Sequence, residues 1–509
     1  MENIKFENIN INGKNTTPIA NIGIISNNKG NLKNIEFKNI NINMPLDKAN
    51  YVGCIGFSSG MEISGININN INISGTNWIG GGIGNAEFYK INNILANDVT
   101  INGGQTVGGI IGNIQPIDIT EGRGLENMQI VDSRVKGNIY VGGIIGGNAA
   151  YKANNIRVDN CEITGEKYVG GYAGTTSHGE MKENININNS NIKGISYVGG
   201  VMGFGGNIRQ VNVNNSTIEG IAINSTKTGG LLGEQGGNVT FSSVSNSKII
   251  SKGSEVGALV GKGSWMAGNF AYNNVVEGYS NVGGVVGILT NSNISSTYNN
   301  SIVRATEHTA GGVLGFLENG LMNNITNISI IESNYYVGDS VTAKNNVGGI
   351  VGEIEKELYT DGGKRYYSNY VETNLISEDI NAVSLGIGNM PKENGKIVDT
   401  YYYKYSTING IYPNEKNEPY IANESYLVSE DLKQIDTYTK KLKFPNSYYD
   451  YKILEQNKYP LIEYNGEILE GQEGIDLPID PITEDIGETV GDGRLDQKQN
   501  LYEELQYTS

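Results

Sequence analysis

Residues 140–146 read YVGGIIG, residues 168–174 YVGGYAG and residues 197–203 YVGGVMG. Their first glycines lie 28 and 29 residues apart, and the pattern of V-G-G, two apolar residues and a closing Gly returns on both sides. Earlier copies are YVGCIG from Tyr51, WIGGGIG from Trp78 and TVGGIIG from Thr106. Later ones are KTGGLLG from Lys227, EVGALVG from Glu255, NVGGVVG from Asn281, TAGGVLG from Thr309 and NVGGIVG from Asn346. Worn forms stand at NIGIIS from Asn21 and LGIG from Leu385. Marked by the first glycine, the series runs Gly23, Gly53, Gly80, Gly108, Gly142, Gly170, Gly199, Gly229, Gly257, Gly283, Gly311, Gly348 and Gly386, and 28 is the commonest interval. Self-similarity at such a period is the mark of a solenoid.

Between the motifs, apolar and polar residues alternate, as in MQIVDSRVKG from Met128, IRVDNCEITG from Ile156 and VNVNNSTIEG from Val211. Period-two alternation in β-branched residues predicts strands, and the Asn-Asn, Asn-Ser and Gly groups predict corners. Each coil is expected to hold two or three short strands. Stacked coils pair these strands in parallel around one narrow apolar column. The predicted fold is therefore an all-β, right-handed parallel β-helix of about thirteen coils, on the order of 60 Å long at the usual strand spacing. The hand comes from the general crossover rule. A glycine pair in each motif serves either a turn with positive φ or a close approach between coils.

A narrow column also explains why 38% of 509 residues is enough apolar content. The formal charge of -17 disfavours nucleic acid and anionic lipid as partners, and no run of 18 apolar residues exists to insert in a membrane. Cys54 and Cys161 lie far apart with no CxxC or Cys/His pairing, so both read as small buried apolar residues. The opening MENIKFENINING has no apolar h-region and already belongs to the repeat, which reads as a fragment entered within the pattern and without an export signal.

Composition shifts near residue 390: seven of the ten prolines lie beyond it and thirteen tyrosines fall between Tyr401 and Tyr464. Residues 1–394 read as the β-helix and 395–468 as a small C-terminal α/β cap, since an exposed parallel edge needs covering. Within the cap, DTYYYKYSTINGIY is expected to form a strand pair, SEDLKQIDTYTKKLKF one amphipathic helix with Ser429 as N-cap, and KYPLIEYNGEI a closing strand. Its tyrosines read as packing first and as a ligand platform second. Residues 469–509 read as an acidic linker and the start of a following domain; from residue 467 onward there are twelve acidic and two basic side chains.

Catalytic chemistry finds little support. Polysaccharide-active β-helices gather carboxylates on adjacent coils, whereas the equivalent outward rows here read Arg134, Glu162, Asn191, Thr217 and Lys136, Thr164, Lys193, Glu219. The signs alternate, as on a solvated, cross-paired face. No Asp follows the glycines at the offset of calcium-binding repeats, and no GxSxG elbow is present. The only histidines, His178 and His308, read as corner or surface residues. No cofactor is therefore expected in this chain. One row has a sharper reading: Tyr140, Tyr168 and Tyr197 precede successive glycine pairs in register, with Tyr51 and Trp78 in the same slot earlier. They form a candidate ligand platform for a glycan or peptide, although coil-to-coil packing also accounts for them. Segments 113–127 and 353–372 are longer than the period needs and are candidate binding loops.

The YVGGIIG, YVGGVMG and NVGGIVG copies resemble the GLUG motif of bacterial surface proteins and of the N-terminal regions of immunoglobulin A zinc metalloproteases. The likeness covers roughly residues 1–465. It implies a secreted or surface-displayed virulence protein in which the rod precedes a catalytic domain, spaces it from the cell wall and engages a host glycoprotein such as immunoglobulin A. That family's catalytic part carries HExxH, and neither His178 nor His308 has that context, so this chain is expected to be non-catalytic, with zinc only in a domain outside it. The alternative is a β-helix adhesin with no protease attached, and a third is a carbohydrate-active enzyme with an unrecognised site.

Overall fold

The computed structural model describes residues 1–13, 20–44, 50–115, 124–147, 152–176, 179–290, 292–318, 321–322, 325–326, 331–332, 335–355, 366–367, 369–389, 400–413, 426–469, 472 and 474–480. Two compact units separate, Met1–Leu477 and Pro478–Ser509, and in the second only residues 478–480 are described. His178, and residues 116–123, 356–365 and 368 within the two candidate loops, lie outside the described residues.

The first unit is a parallel β-solenoid. Thirteen short strands, from Ala20–Ile22 to Val383–Ser384, stack in chain order in one sheet, and most other strands join a second sheet that wraps the rest of each turn. The stacked strands are the glycine motifs: Gly108 pairs with Gly142, Gly142 with Gly170, Gly170 with Gly199 and Gly199 with Gly229. Gly283, Gly311 and Gly348 continue the row. One marker needs correction: Ser384, not Gly386, pairs with Gly348, and Gly386 lies opposite Ile350. The last copy has lost both glycines of the pair, so Gly386 stands two residues past the first slot, while Gly388 keeps register with the closing Gly352.

A representative turn holds four strands, Lys167–Gly170, Ala173–Thr175, Lys182–Asn188 and Asn191–Gly194, rather than two or three. The extra strand arises because the glycine pair bends the motif and divides it between the two sheets. The alternating segments then place one face inward. Ile156, Ile185 and Val211 stack in register, as do Val158, Ile187 and Val213, and Ile163, Ile192 and Ile218, all buried. Cys54 and Cys161 are free, buried thiols at the margin of these columns, Cys54 in a second-glycine slot and Cys161 at the corner beside Ser190; burial pushes the Cys161 thiol up to about 12.

Close approach, not positive φ, explains the first glycine of the pair, while the second slot also takes Cys54, Ala258 and Leu385. None of the motif glycines is among those with positive φ. A Cβ on Gly142 would lie 2.0 Å from the Ile145 carbonyl oxygen and 2.7 Å from Ala173 Cα; on Gly143 it would lie 2.2 Å from the Gly171 oxygen of the next turn. The left-handed corners fall to asparagine instead, at Asn93, Asn127 and Asn155 among others. Asparagine tolerates that conformation, and its amide bonds from turn to turn: Asn155 Nδ2 donates to Asn127 Oδ1 at 2.6 Å and Asn127 Nδ2 to Asn93 Oδ1 at 3.1 Å.

The solenoid pairing runs past residue 394. Strands Thr400–Tyr403 and Thr407–Ile408 pair in parallel with the preceding turn rather than with each other, and Tyr426–Leu427 adds to Thr400–Tyr403. Residues 429–477 then lie back along the flank of the rod. Tyr438, Tyr449, Tyr459, Phe444 and Ile462 form one buried cluster with Phe270, Tyr298, Val337, Tyr370 and Tyr403 from successive turns. The contact reaches further, to Phe241, whose ring lies 4.3 Å from Tyr464 and 5.4 Å from Tyr448, and to Arg209, 5.8 Å from the Tyr464 ring. The tyrosines of this region are thus packing residues of a strap laid along the side.

Inside the strap the expected single helix is broken. Only Ser429–Leu432 is α-helical, with Val428 rather than Ser429 at the N-cap, and a wider turn covers Thr437–Lys441. The Asp431 side chain accepts from the Val428 N–H at 3.1 Å. The Thr437 hydroxyl donates to the Asp431 carbonyl at 2.6 Å and the Tyr438 hydroxyl to the Leu432 carbonyl at 2.9 Å, so these carbonyls are taken by side chains instead of the next helical turn. The closing strand is a hairpin, Leu461–Tyr464 with Glu467–Ile468, turning at left-handed Asn465 and Gly466.

Candidate functional site

The slot before each glycine motif forms a row up one edge of the rod: Tyr51, Trp78, Thr106, Tyr140, then Tyr168, Tyr197 and Lys227. The structure brings Tyr140, Tyr168 and Tyr197 together and leaves Trp78 apart. Tyr140 and Tyr168 stack at 5.2 Å with ring planes 14° apart, and Tyr168 and Tyr197 follow at 4.6 Å and 36°. Trp78 packs on Tyr51 at 4.9 Å instead, because Thr106 occupies the rung between.

Stacking decides what this surface offers. Each ring packs against the next, and cations approach Tyr168 and Tyr197. Lys167 Nζ lies 4.8 Å from the Tyr168 ring and 5.3 Å from that of Tyr197, and Lys227 Nζ lies 4.4 Å from Tyr197. The rings are half-buried. What they present outward is a line of edges and hydroxyls rather than flat apolar faces. Lys227 Nζ also donates to the Tyr197 hydroxyl at 3.1 Å and pairs with Glu234 at 3.0 Å. Burial works to lower the Lys227 ammonium, but these two partners outweigh it and lift it above its usual value. On the next rung, Glu255 has its carboxyl pushed up by burial, with Oε2 buried and unpaired.

Sequence reasoning missed the backbone here. Tyr168, Tyr197, Lys227, Glu255 and Asn281 all take left-handed φ, from 53° to 64°. Such a conformation costs a non-glycine residue about 1–2 kcal/mol, and among these only Asn281 carries a residue type that would have signalled it.

No protein-family model, curated protein or solved structure matches this chain.

The two outward charge rows sit as the repeat arithmetic places them: Arg134 opposite Glu162 and then Asn191, and Thr164, Lys193 and Glu219 in the next row. Arg134 and Glu162 approach to 3.5 Å, and Lys193 and Glu219 to 3.0 Å. His308 sits at a corner, with Nδ1 3.0 Å from the Asn345 amide and its ring edge-on to Tyr279 at 5.8 Å. Among the described residues no group of three His, Cys, Asp or Glu is placed to hold a metal ion, and no helix is long and apolar enough to cross a membrane.

Proposed function

We propose that the chain is the non-catalytic rod of a secreted or surface-displayed bacterial protein, of the kind that precedes the catalytic domain in immunoglobulin A zinc metalloproteases, and that it engages a host glycoprotein through the tyrosine ladder. The observation that carries this reading is the ladder itself, in which hydroxyl edges of Tyr140, Tyr168 and Tyr197 run beside Lys167 and Lys227 at the turn spacing. Such a strip supplies hydrogen-bond donors at regular intervals and suits an extended, oxygen-rich ligand such as a glycan chain. The alternating charge rows support spacing over catalysis, since they pair with one another instead of concentrating carboxylates.

The test is binding of human immunoglobulin A to the chain, measured beside a triple Tyr→Phe variant at positions 140, 168 and 197. That variant keeps the stack and removes the hydroxyls. Binding weakened at least tenfold at unchanged thermal stability supports the reading. Absence of binding by the unaltered chain removes immunoglobulin A as partner, and equal binding by the variant removes the ladder as its site. Cleavage of immunoglobulin A by a longer protein that includes this rod, with and without residues 1–468, separates protease arm from adhesin.

A further inference from the structure

The seam between the strap and the flank is built from aromatic rings and contains one acid in their midst. Glu372 stands on the solenoid strand Asn369–Ser377. Its Oε2 accepts hydrogen bonds from the Tyr370 hydroxyl, at 3.3 Å, and from the Tyr459 hydroxyl, and these two hydroxyls lie 3.0 Å apart. Tyr370 belongs to the rod and Tyr459 to the strap, so one carboxyl joins the two. Facing it are Tyr298 and Tyr370 from the rod and Tyr438 and Tyr459 from the strap. On its other side opens a cavity of about 420 Å³ between rod and strap, which Asp339, Tyr405 and Asp476 also line. Among the described residues, no lysine, arginine or histidine lines that cavity.

We propose that residues 429–477 form a proton-held strap, docked on the aromatic flank while Glu372 is a neutral acid and loosened when it ionises. A neutral carboxyl satisfies the two hydroxyls at no cost in charge burial. A carboxylate at the same place has two neutral donors, no cation, and two further acids across the cavity. Burial is the largest influence on Glu372 and pushes its carboxyl up to about 7, with the Tyr459 and Tyr370 hydroxyls drawing it part of the way back. The sign follows from linkage. For an acid whose value is raised in the docked state, docking is strongest below the ordinary carboxyl value of 4.5 and weakens as pH rises toward 7. At tenfold per unit of difference, the docking equilibrium falls toward a limit of about 300-fold, reached only well above pH 7. Loosening uncovers the row that holds Phe270, Tyr298 and Tyr370.

Hydrogen exchange on the whole chain at pH 5 and pH 8, corrected for intrinsic rates, tests this. The reporters are strap amides, the Tyr459 N–H bonded to the Ile475 carbonyl and the Leu477 N–H bonded to that of Asn457. They are expected to lose on the order of a hundredfold protection between the two pH values, while amides of Ile185 and Ile187 in the rod do not change. Glu372→Gln is expected to keep the strap protected at pH 8. Tyr459→Phe removes a donor that favours the carboxylate, so the midpoint of the transition moves to higher pH. Flat protection in the unaltered chain overturns the proposal. So does an unchanged pH response in Glu372→Gln, or, should that variant not fold, a midpoint in Tyr459→Phe that fails to rise.

Discussion

One outward row runs the length of the rod and makes two different surfaces from the same backbone. Its first rungs are Lys5, Glu36, Asn67, Leu95, Gln129, Arg157, Asn186, Asn212 and Ser243; its last include Phe270, Tyr298, Tyr370 and Tyr401. Parallel pairing continues across Ser243, although the inward column of Val158, Ile187 and Val213 takes Asn299 and Tyr336 further on. The earlier half is solvated and cross-paired, as where Lys5 meets Glu36 at 3.4 Å, and the later half is covered by the strap. Backbone periodicity therefore builds the rod, while the residue type at one outward position decides whether a rung faces water or protein.

The most severe way to break this comparison is to end the chain at residue 428. The later rungs then expose Phe270 and Tyr298, and hydrogen exchange is expected to show loss of protection from about residue 254 onward, with self-association, while rungs between Met128 and Val213 stay protected. Equal loss in both halves would show that the strap supports the whole rod. A single substitution gives the same contrast in smaller form. Tyr298→Ala should cost about 4 kcal/mol in chemical denaturation, as for a fully buried aromatic, whereas Arg157→Ala in the same row should cost less than about 1 kcal/mol. Glycine substitutions should ignore the divide. Gly170→Ala and Gly311→Ala would each drive a Cβ to within 2.6 Å of backbone in the next turn, and both should lose about 3 kcal/mol. A large difference between them would mean that the strap also bears on the glycine edge. The least effect belongs to Arg134→Ala. Both partners of the Arg134–Glu162 pair are exposed, at 76% and 55%, so a change of a few tenths of a kcal/mol in thermal or chemical unfolding is expected.

Much of the rod was legible because its information is local and repeated. The 28-residue interval placed the motif rungs from Gly108 to Gly348, and the alternation placed Arg134 opposite Glu162 and Lys193 opposite Glu219. Worn copies were less legible, as Ser384 in place of Gly386 shows, because an eye trained on glycine follows glycine rather than register. The strap was missed for a different reason. Thirteen tyrosines stood out between Tyr401 and Tyr464, six of them in the strap, but the strap's partners Phe270, Tyr298 and Tyr370 lie far upstream on separate turns, and only the coil register reveals that they share a row. At the tyrosine ladder, the stacking was legible and the orientation of the rings was not. Spacing put Tyr140, Tyr168 and Tyr197 together, but not which side of each ring would stay open, and Thr106 separates Trp78 from them. The left-handed backbone at Tyr168 and Tyr197 had no local signal, since aromatic residues rarely choose it.

The strap also has a mechanical consequence. In a parallel solenoid the interstrand hydrogen bonds run along the rod axis, so tension applied along that axis falls on one rung at a time, and the rungs part in sequence. Toward Met128 the strap's contacts thin out, ending at the approach of Arg209 to Tyr464, and the turns there are held mainly by pairing with their neighbours. From Phe241 to Tyr403, the strap is fastened across several rungs at once, as a splint is bound across a fracture. Under stretching the unbraced half should pay out first, as extensible slack, while the braced half keeps its length.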